Sequence, residues 1–150
     1  MSDQPACELC AASGGLPVHR TLDWRVVRVA DAAFPAFYRV IWNTHVAEFS
    51  DLDTSRRRAC IEAVAAVEQA LRQSLAPTKI NLASLGNVVP HLHWHVIARF
   101  AWDSHFPQPV WGKAQRSVEP AAEARLPLAL ATLDTRVAAA LHELSPAVRG

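Results

Sequence analysis

Histidine alternates with apolar residues in His91-Leu92-His93-Trp94-His95-Val96-Ile97, and no other stretch limits the fold as strongly. Strict alternation over branched and aromatic residues is the pattern of a half-buried strand. A period of two sends His91, His93 and His95 to one face and Leu92, Trp94 and Val96 to the other. The apolar face needs a core to pack against. The histidine face must line something polar, wet or metal-bound. Three imidazoles in register, out of seven histidines in 150 residues, have no packing rationale. Imidazole titrates near neutrality, attacks phosphorus and binds metals.

The rest of the chain supplies partners for that strand. Residues 20–24 read as a short strand or the approach to one. Residues 24–30 are strand-like and end at Asp31, a residue type that forms turns. Phe37-Tyr38-Arg39-Val40-Ile41-Trp42 is the next strand, rich in aromatic and branched residues, and pairs antiparallel with the one before. Ser50, Asp51 and Asp53 offer N-caps for a helix over residues 54–75. Cys60, Val64, Val67, Leu71 and Leu75 fall at spacings of three or four, a single apolar stripe. Pro77 ends it. Residues 79–84 form a strand and 85–90 a loop feeding the histidines, in which Gly86 permits an unusual backbone angle. Residues 128–144 read as a terminal helix, with Leu130, Leu133, Val137, Leu141 and Leu144 on one stripe. This order argues for α+β architecture with an antiparallel sheet.

Composition bounds the rest. A chain of this length suits one domain, 1–150, with a real core. Half the residues are hydrophobic and the net charge is +1, so neither nucleic acid nor a membrane surface is an expected partner. Arg56-Arg57-Arg58 at a helix start reads as a solvated face. No apolar run is long enough to span a bilayer. Met1-Ser2-Asp3-Gln4-Pro5 lacks a signal-peptide layout, so cytoplasmic localisation is the default. Three cysteines argue against a disulfide framework. Cys7-Glu8-Leu9-Cys10 followed by Gly14-Gly15 can grip one metal ion if two further ligands exist; otherwise it is two unligated thiols in a loop. Cys60, on the helix stripe, is a small buried hydrophobe.

The alternating histidines, with Lys79-Ile80-Asn81-Leu82 and Leu85-Gly86-Asn87-Val88 before them and Phe106-Pro107-Gln108-Pro109-Val110-Trp111 after, resemble the signature of the histidine triad (HIT) superfamily of nucleotide hydrolases and transferases. The likeness spans about residues 7–111; a helical extension over about 120–150 lies beyond it. It implies a sheet of about five strands packed with the long helix, and two subunits joined into one continuous sheet, hence a homodimer. It implies that His93 is the nucleophile and forms a nucleotidyl-histidine intermediate. His95 then donates to the phosphate oxygens. Asn87, Asn81 and Ser84 orient the phosphate and leaving group, and Asp31 contacts a ribose. His91 belongs to the substrate face or, with Cys7, Cys10 and His45, to a structural zinc site, as in relatives that carry the N-terminal C-x-x-C. Two departures stand out. Many relatives have histidine where Phe37 stands, and glutamine where Asn87 stands.

The reaction so implied is hydrolysis of nucleoside phosphoramidates or dinucleoside polyphosphates, with release of AMP and no organic cofactor. A purine nucleotide, adenosine first, is the expected substrate. Transfer to a second phosphate acceptor is a variant of the same chemistry. Three other readings use the same residues. One is a metal-dependent hydrolase in which the histidine face holds a catalytic ion. Another is a nucleotide-binding module with little turnover, which Phe37 and Asn87 leave open. The third is a zinc-stabilised interaction protein. The loop aromatics Trp102, Phe106 and Trp111 cover a base, face a partner subunit, or pack the loop.

Overall fold

A computed structural model describes residues 6–148. Residues 1–5, on which the expectation about a signal peptide rests, lie outside the described residues. Five strands form one antiparallel sheet: β1 (Leu16–Arg20), β2 (Trp24–Arg28), β3 (Phe37–Trp42), β4 (Lys79–Ala83) and β5 (His93–Arg99). Their spatial order is β1-β2-β3-β5-β4. Three helices accompany them: α1 (Glu8–Ala11), α2 (Thr54–Leu75) and α3 (Leu130–Leu144). The architecture is α+β, as expected.

The strand period sorts the sheet into two faces. Trp24, Val26, Tyr38, Val40, Trp42, Ile80, Val96 and Ala98 form the covered face. The α2 stripe of Cys60, Val64, Val67, Leu71 and Leu75 packs on them, and Leu133, Val137 and Leu141 of α3 join the same core. Each fully buried leucine there contributes about 1.5–3 kcal/mol. The Asp134 carboxylate anchors α3 to the sheet by accepting from Arg28 Nε (2.9 Å) and the Tyr38 hydroxyl (2.7 Å). Burial first, then that bond, raise the Tyr38 phenol well above its ordinary value. No helix among the described residues is long and apolar enough to cross a membrane.

Helix α2 begins and ends where capping chemistry puts it. The Asp53 carboxylate accepts from the Arg56 backbone N–H at 2.8 Å, and Ala76 leaves the helix in the left-handed region at φ 45°. Two expectations about strands shift. The first strand is Leu16–Arg20, not residues 20–24; Thr21 instead closes a turn, its hydroxyl oxygen accepting from the Asp23 and Trp24 N–H groups. Pro17 and a register shift between Pro17 and His19 erase the alternation that would reveal this edge strand. The triad strand starts at His93, not His91. Past the end of β3 the chain bonds irregularly: Leu92 accepts from Trp42 and donates to Val46.

Candidate active site and metal centre

The uncovered face of the sheet carries the polar chemistry in rows set by register. Arg25, Ile41 and His93 form one row, from β2 through β3 to β5. Val27, Arg39, His95 and Ala83 form the next. Phe37, Ile97 and Asn81 form the third. His93 and His95 lie edge to face with ring centroids 4.9 Å apart. Phe37 (5.4 Å) and Trp111 (5.1 Å) flank the His95 ring edge-on. Both histidines are buried.

Protonation on this face follows from burial. His93 Nδ1 donates to the His91 carbonyl at 2.6 Å, because a carbonyl can only accept. The lone pair therefore sits on Nε2. Burial, with Arg39 nearby, lowers the His93 imidazole below its ordinary value despite that bond. Burial, then His93 and Arg39, push His95 down to about 4. At neutral pH both rings are uncharged. His95 Nδ1 is buried and has no hydrogen-bond partner among the described residues, an unsatisfied polar atom that calls for an explanation. The arrangement offers a neutral nitrogen nucleophile beside a second polar ring.

Beneath the start of β5 lies a second cluster. Cys7, Cys10, His45 and His91 present ligand atoms that all lie within 4.8 Å of one another. The Cys7 and Cys10 sulfurs are each 3.5 Å from His91 Nδ1, and Cys10 Sγ is 3.5 Å from His45 Nδ1. Metal–sulfur and metal–nitrogen bonds of about 2.3 and 2.0 Å around a tetrahedral ion put sulfur and nitrogen ligands roughly 3.5 Å apart. His91 Nε2 donates to the Trp42 carbonyl at 2.6 Å, which leaves Nδ1 unprotonated for a metal. These four residues can hold one. Both nitrogens of the fully buried His91 ring are thus engaged, Nδ1 by the cysteines and Nε2 by the Trp42 carbonyl.

Other candidate residues lie further apart. Ser84 and His93 line a common cavity of about 230 Å³ with Gly86 and Trp94. Gly86 takes φ +73°, a left-handed angle as its loop required. Asn87 is exposed in the same loop. Asn81 Oδ1 accepts from Arg99 Nη1 at 2.8 Å, so its amide NH2 is the end left for a ligand. Asp31 caps its own turn, Oδ1 accepting from the Ala33 and Phe34 N–H groups. Trp102 stacks on Phe100 and lies under the Arg125 guanidinium, and Phe106 packs beneath Arg99. Of the three loop aromatics, Trp111 is the one against His95.

Sequence reasoning missed three arginines. Arg25 bonds the Leu9, Ala12 and Ser13 carbonyls and Asn43 Oδ1, stapling the segment that carries the cysteines to the sheet. Arg99, 1% exposed, pairs with Asp103 at 2.8 Å and donates to the Gln108 carbonyl, which holds the loop leading to Trp111. Asp103 also accepts from the Phe100, His105 and Phe106 N–H groups. Burial raises its carboxyl, yet Arg99 and these N–H groups win and keep it below the ordinary range. Arg39 stands across from His95. The signal for all three is a charge in the middle or at the end of an apolar strand, on the face that carries His93 and His95.

The HIT domain family matches residues 18–102. A histidine triad protein from Bradyrhizobium japonicum superposes with a TM-score of 0.65 at 27% identity, over 87% of this chain and 90% of that one. A histidine triad protein from Marinobacter aquaeolei VT8 gives 0.73 at 23% identity, over 96% and 100%. A hypothetical histidine triad nucleotide-binding protein from Sulfolobus tokodaii strain7 gives 0.62 at 14% identity, over 92% and 93%. No curated protein matches the chain.

Proposed function

The chain belongs to the HIT family, and from that premise we propose that it hydrolyses nucleoside phosphoramidates or dinucleoside polyphosphates through a nucleotidyl–His93 intermediate, releasing AMP. One observation carries the reading. His93 Nδ1 is tied to the His91 carbonyl, so an uncharged Nε2 with its lone pair is held ready for phosphorus. A nucleophile that need not first lose a proton divides one hard displacement into two easier ones. The nucleotide-binding description of the Sulfolobus protein agrees with a nucleotide ligand.

In the first step the Nε2 lone pair forms a bond to the α-phosphorus. The bond from phosphorus to the leaving oxygen or nitrogen breaks, and the departing group takes a proton from solvent. In the second step a water oxygen attacks the same phosphorus. The N–P electron pair returns to His93, the water gives its proton to solvent, and AMP leaves. His95 hydrogen-bonds the non-bridging oxygens as charge develops. Ser84, which shares a cavity with His93, orients the phosphate with Asn81 and Asn87, and Asp31 takes the ribose.

Cys7, Cys10, His45 and His91 would hold zinc as a closed, structural four-ligand ion. Its role is to fix the His91 backbone and through it His93. This engagement of His91 weighs against the reading in which all three histidines hold one catalytic metal. We further take the chain to be a cytoplasmic homodimer acting as one domain, with α3 part of its core.

AMP release from adenosine phosphoramidate and from diadenosine polyphosphates tests the reading. Turnover is expected in the wild type and abolished in His93→Ala. AMP binding without turnover of either substrate would point instead to a binding module.

A further inference from the structure

Arg39 makes a single structural hydrogen bond and leaves other donors unused. It occupies the centre of β3, between Phe37 and Ile41 on the same face, with Val27 on one side and His95 on the other. Every other member of its row is uncharged at neutral pH. Its Nη1 donates to the Gly14 carbonyl at 3.0 Å. Its Nε is buried and has no partner among the described residues. No carboxylate forms an ion pair with it: the pairs among the described residues join Arg28 to Asp134, Arg56 to Asp53 and Arg99 to Asp103. The exposed Glu8 acts on it only at a distance.

The two neighbouring cases show what satisfied arginines look like here. Arg25 spends its donors on three carbonyls and an asparagine. Arg99 meets a buried carboxylate with two of its nitrogens. Arg39 has one carbonyl and an idle Nε. A half-buried guanidinium with an unpaired Nε and no counter-charge is unfavourable unless an anion arrives to meet it. The backbone around it is prearranged for that position. Gly14 sits at φ +87°, and a Cβ there would meet Leu9 Cδ2 at 2.8 Å and Ile41 Cδ1 at 2.9 Å, so the carbonyl that steadies Arg39 is presented by a turn which favours glycine.

We propose that Arg39 is a phosphate-binding residue of this site, its guanidinium taking an oxygen of the nucleotide's phosphate beside His95. The inference rests on the reading of the histidine face as a phosphate site. Arg39 puts a positive charge directly across from His95, with donors left over for a ligand. The imidazoles of His93 and His95 offer phosphate hydrogen bonds, but neither carries the fixed positive charge of a guanidinium. A planar guanidinium offers both charge and directed donors. The site therefore selects phosphorylated nucleotides over nucleosides by charge.

Calorimetric binding of AMP, adenosine and inorganic pyrophosphate to wild type, Arg39→Gln and Arg39→Lys tests this. Folding of each variant is checked by thermal melting. Arg39→Gln is expected to bind AMP and pyrophosphate roughly 10- to 100-fold more weakly, the range for a lost charged hydrogen bond, while adenosine affinity keeps its wild-type value. Arg39→Lys restores part of the loss because it keeps the charge, and it carries the test if the glutamine variant does not fold. Equal losses for AMP and adenosine would mark Arg39 as a strut for Gly14 and overturn the proposal, as would AMP and pyrophosphate binding within a few-fold of wild type. Wild-type protein that binds none of the three probes overturns it too. Arg39-dependent pyrophosphate binding by protein that ignores AMP and adenosine would uphold the phosphate site while refuting the adenine-nucleotide reading.

Discussion

His95 shows how a single residue links burial to behaviour. Its ring is held at about 4 against an ordinary value of 6.5. Between these values the unfolded chain binds a proton and the folded chain does not. Stability from this group is therefore complete above about pH 6.5 and lost progressively as pH falls toward 4. Denaturant melts from pH 7 to 5 are expected to show a shallower loss for His95→Asn than for wild type; parallel curves would mean the ring titrates normally. The cysteines lie at the same scale. Purified protein never exposed to chelator is expected to carry one zinc per chain by elemental analysis, and Cys10→Ser to carry much less and melt earlier, because a four-ligand site that loses a thiolate loses most of its affinity. Full zinc content in that variant would refute the assignment. Chelation would leave the sheet without the tie between residues 7–10 and His91, while Arg25 still holds the segment through three carbonyls.

At the level of elements, α3 is more than an appendage. Leu133, Val137 and Leu141 are fully buried, and α3 packs along α2 and β1. Leu133→Ala is expected to lower unfolding free energy by about 2–5 kcal/mol in denaturant titration; a loss under 1 kcal/mol would mean α3 docks loosely. This helix and α2 were legible because long 3.6-residue stripes announce themselves, and α2 has the bounds its capping residues suggested. So was the sheet, with one apolar face and one face carrying His93 and His95. The rest was hidden for identifiable reasons. Strand β1 lost its alternation to Pro17 and a bulge. His91 satisfied the period-two pattern in sequence, yet it leaves the ladder because Leu92 bonds across to Val46 and Trp42, turning the imidazole toward the cysteines. Arg39 gave a signal, a charge within an apolar strand, that has meaning only once its neighbours, and the missing carboxylate, are known.

For the whole molecule, the two ends of the sheet differ. Strand β1 is spoiled for further pairing by Pro17 and its bulge, and the tail docks on its end, Val148 N–H donating to the Arg20 carbonyl and His19 Nε2 to that of Ser145. Strand β4 has neither proline nor bulge, and Leu82 on it is 43% exposed. Edges left in that state invite another strand. Light scattering is expected to give the mass of a dimer, and Leu82→Lys to shift it toward the monomer; a wild-type monomer at micromolar concentration would refute this. The asymmetry has a consequence for growth. A building block with two sticky ends polymerises, and one with none stays single. With one open edge the expected valence is one, so a pair closed through β4 would consume every bond it has to offer and stop there.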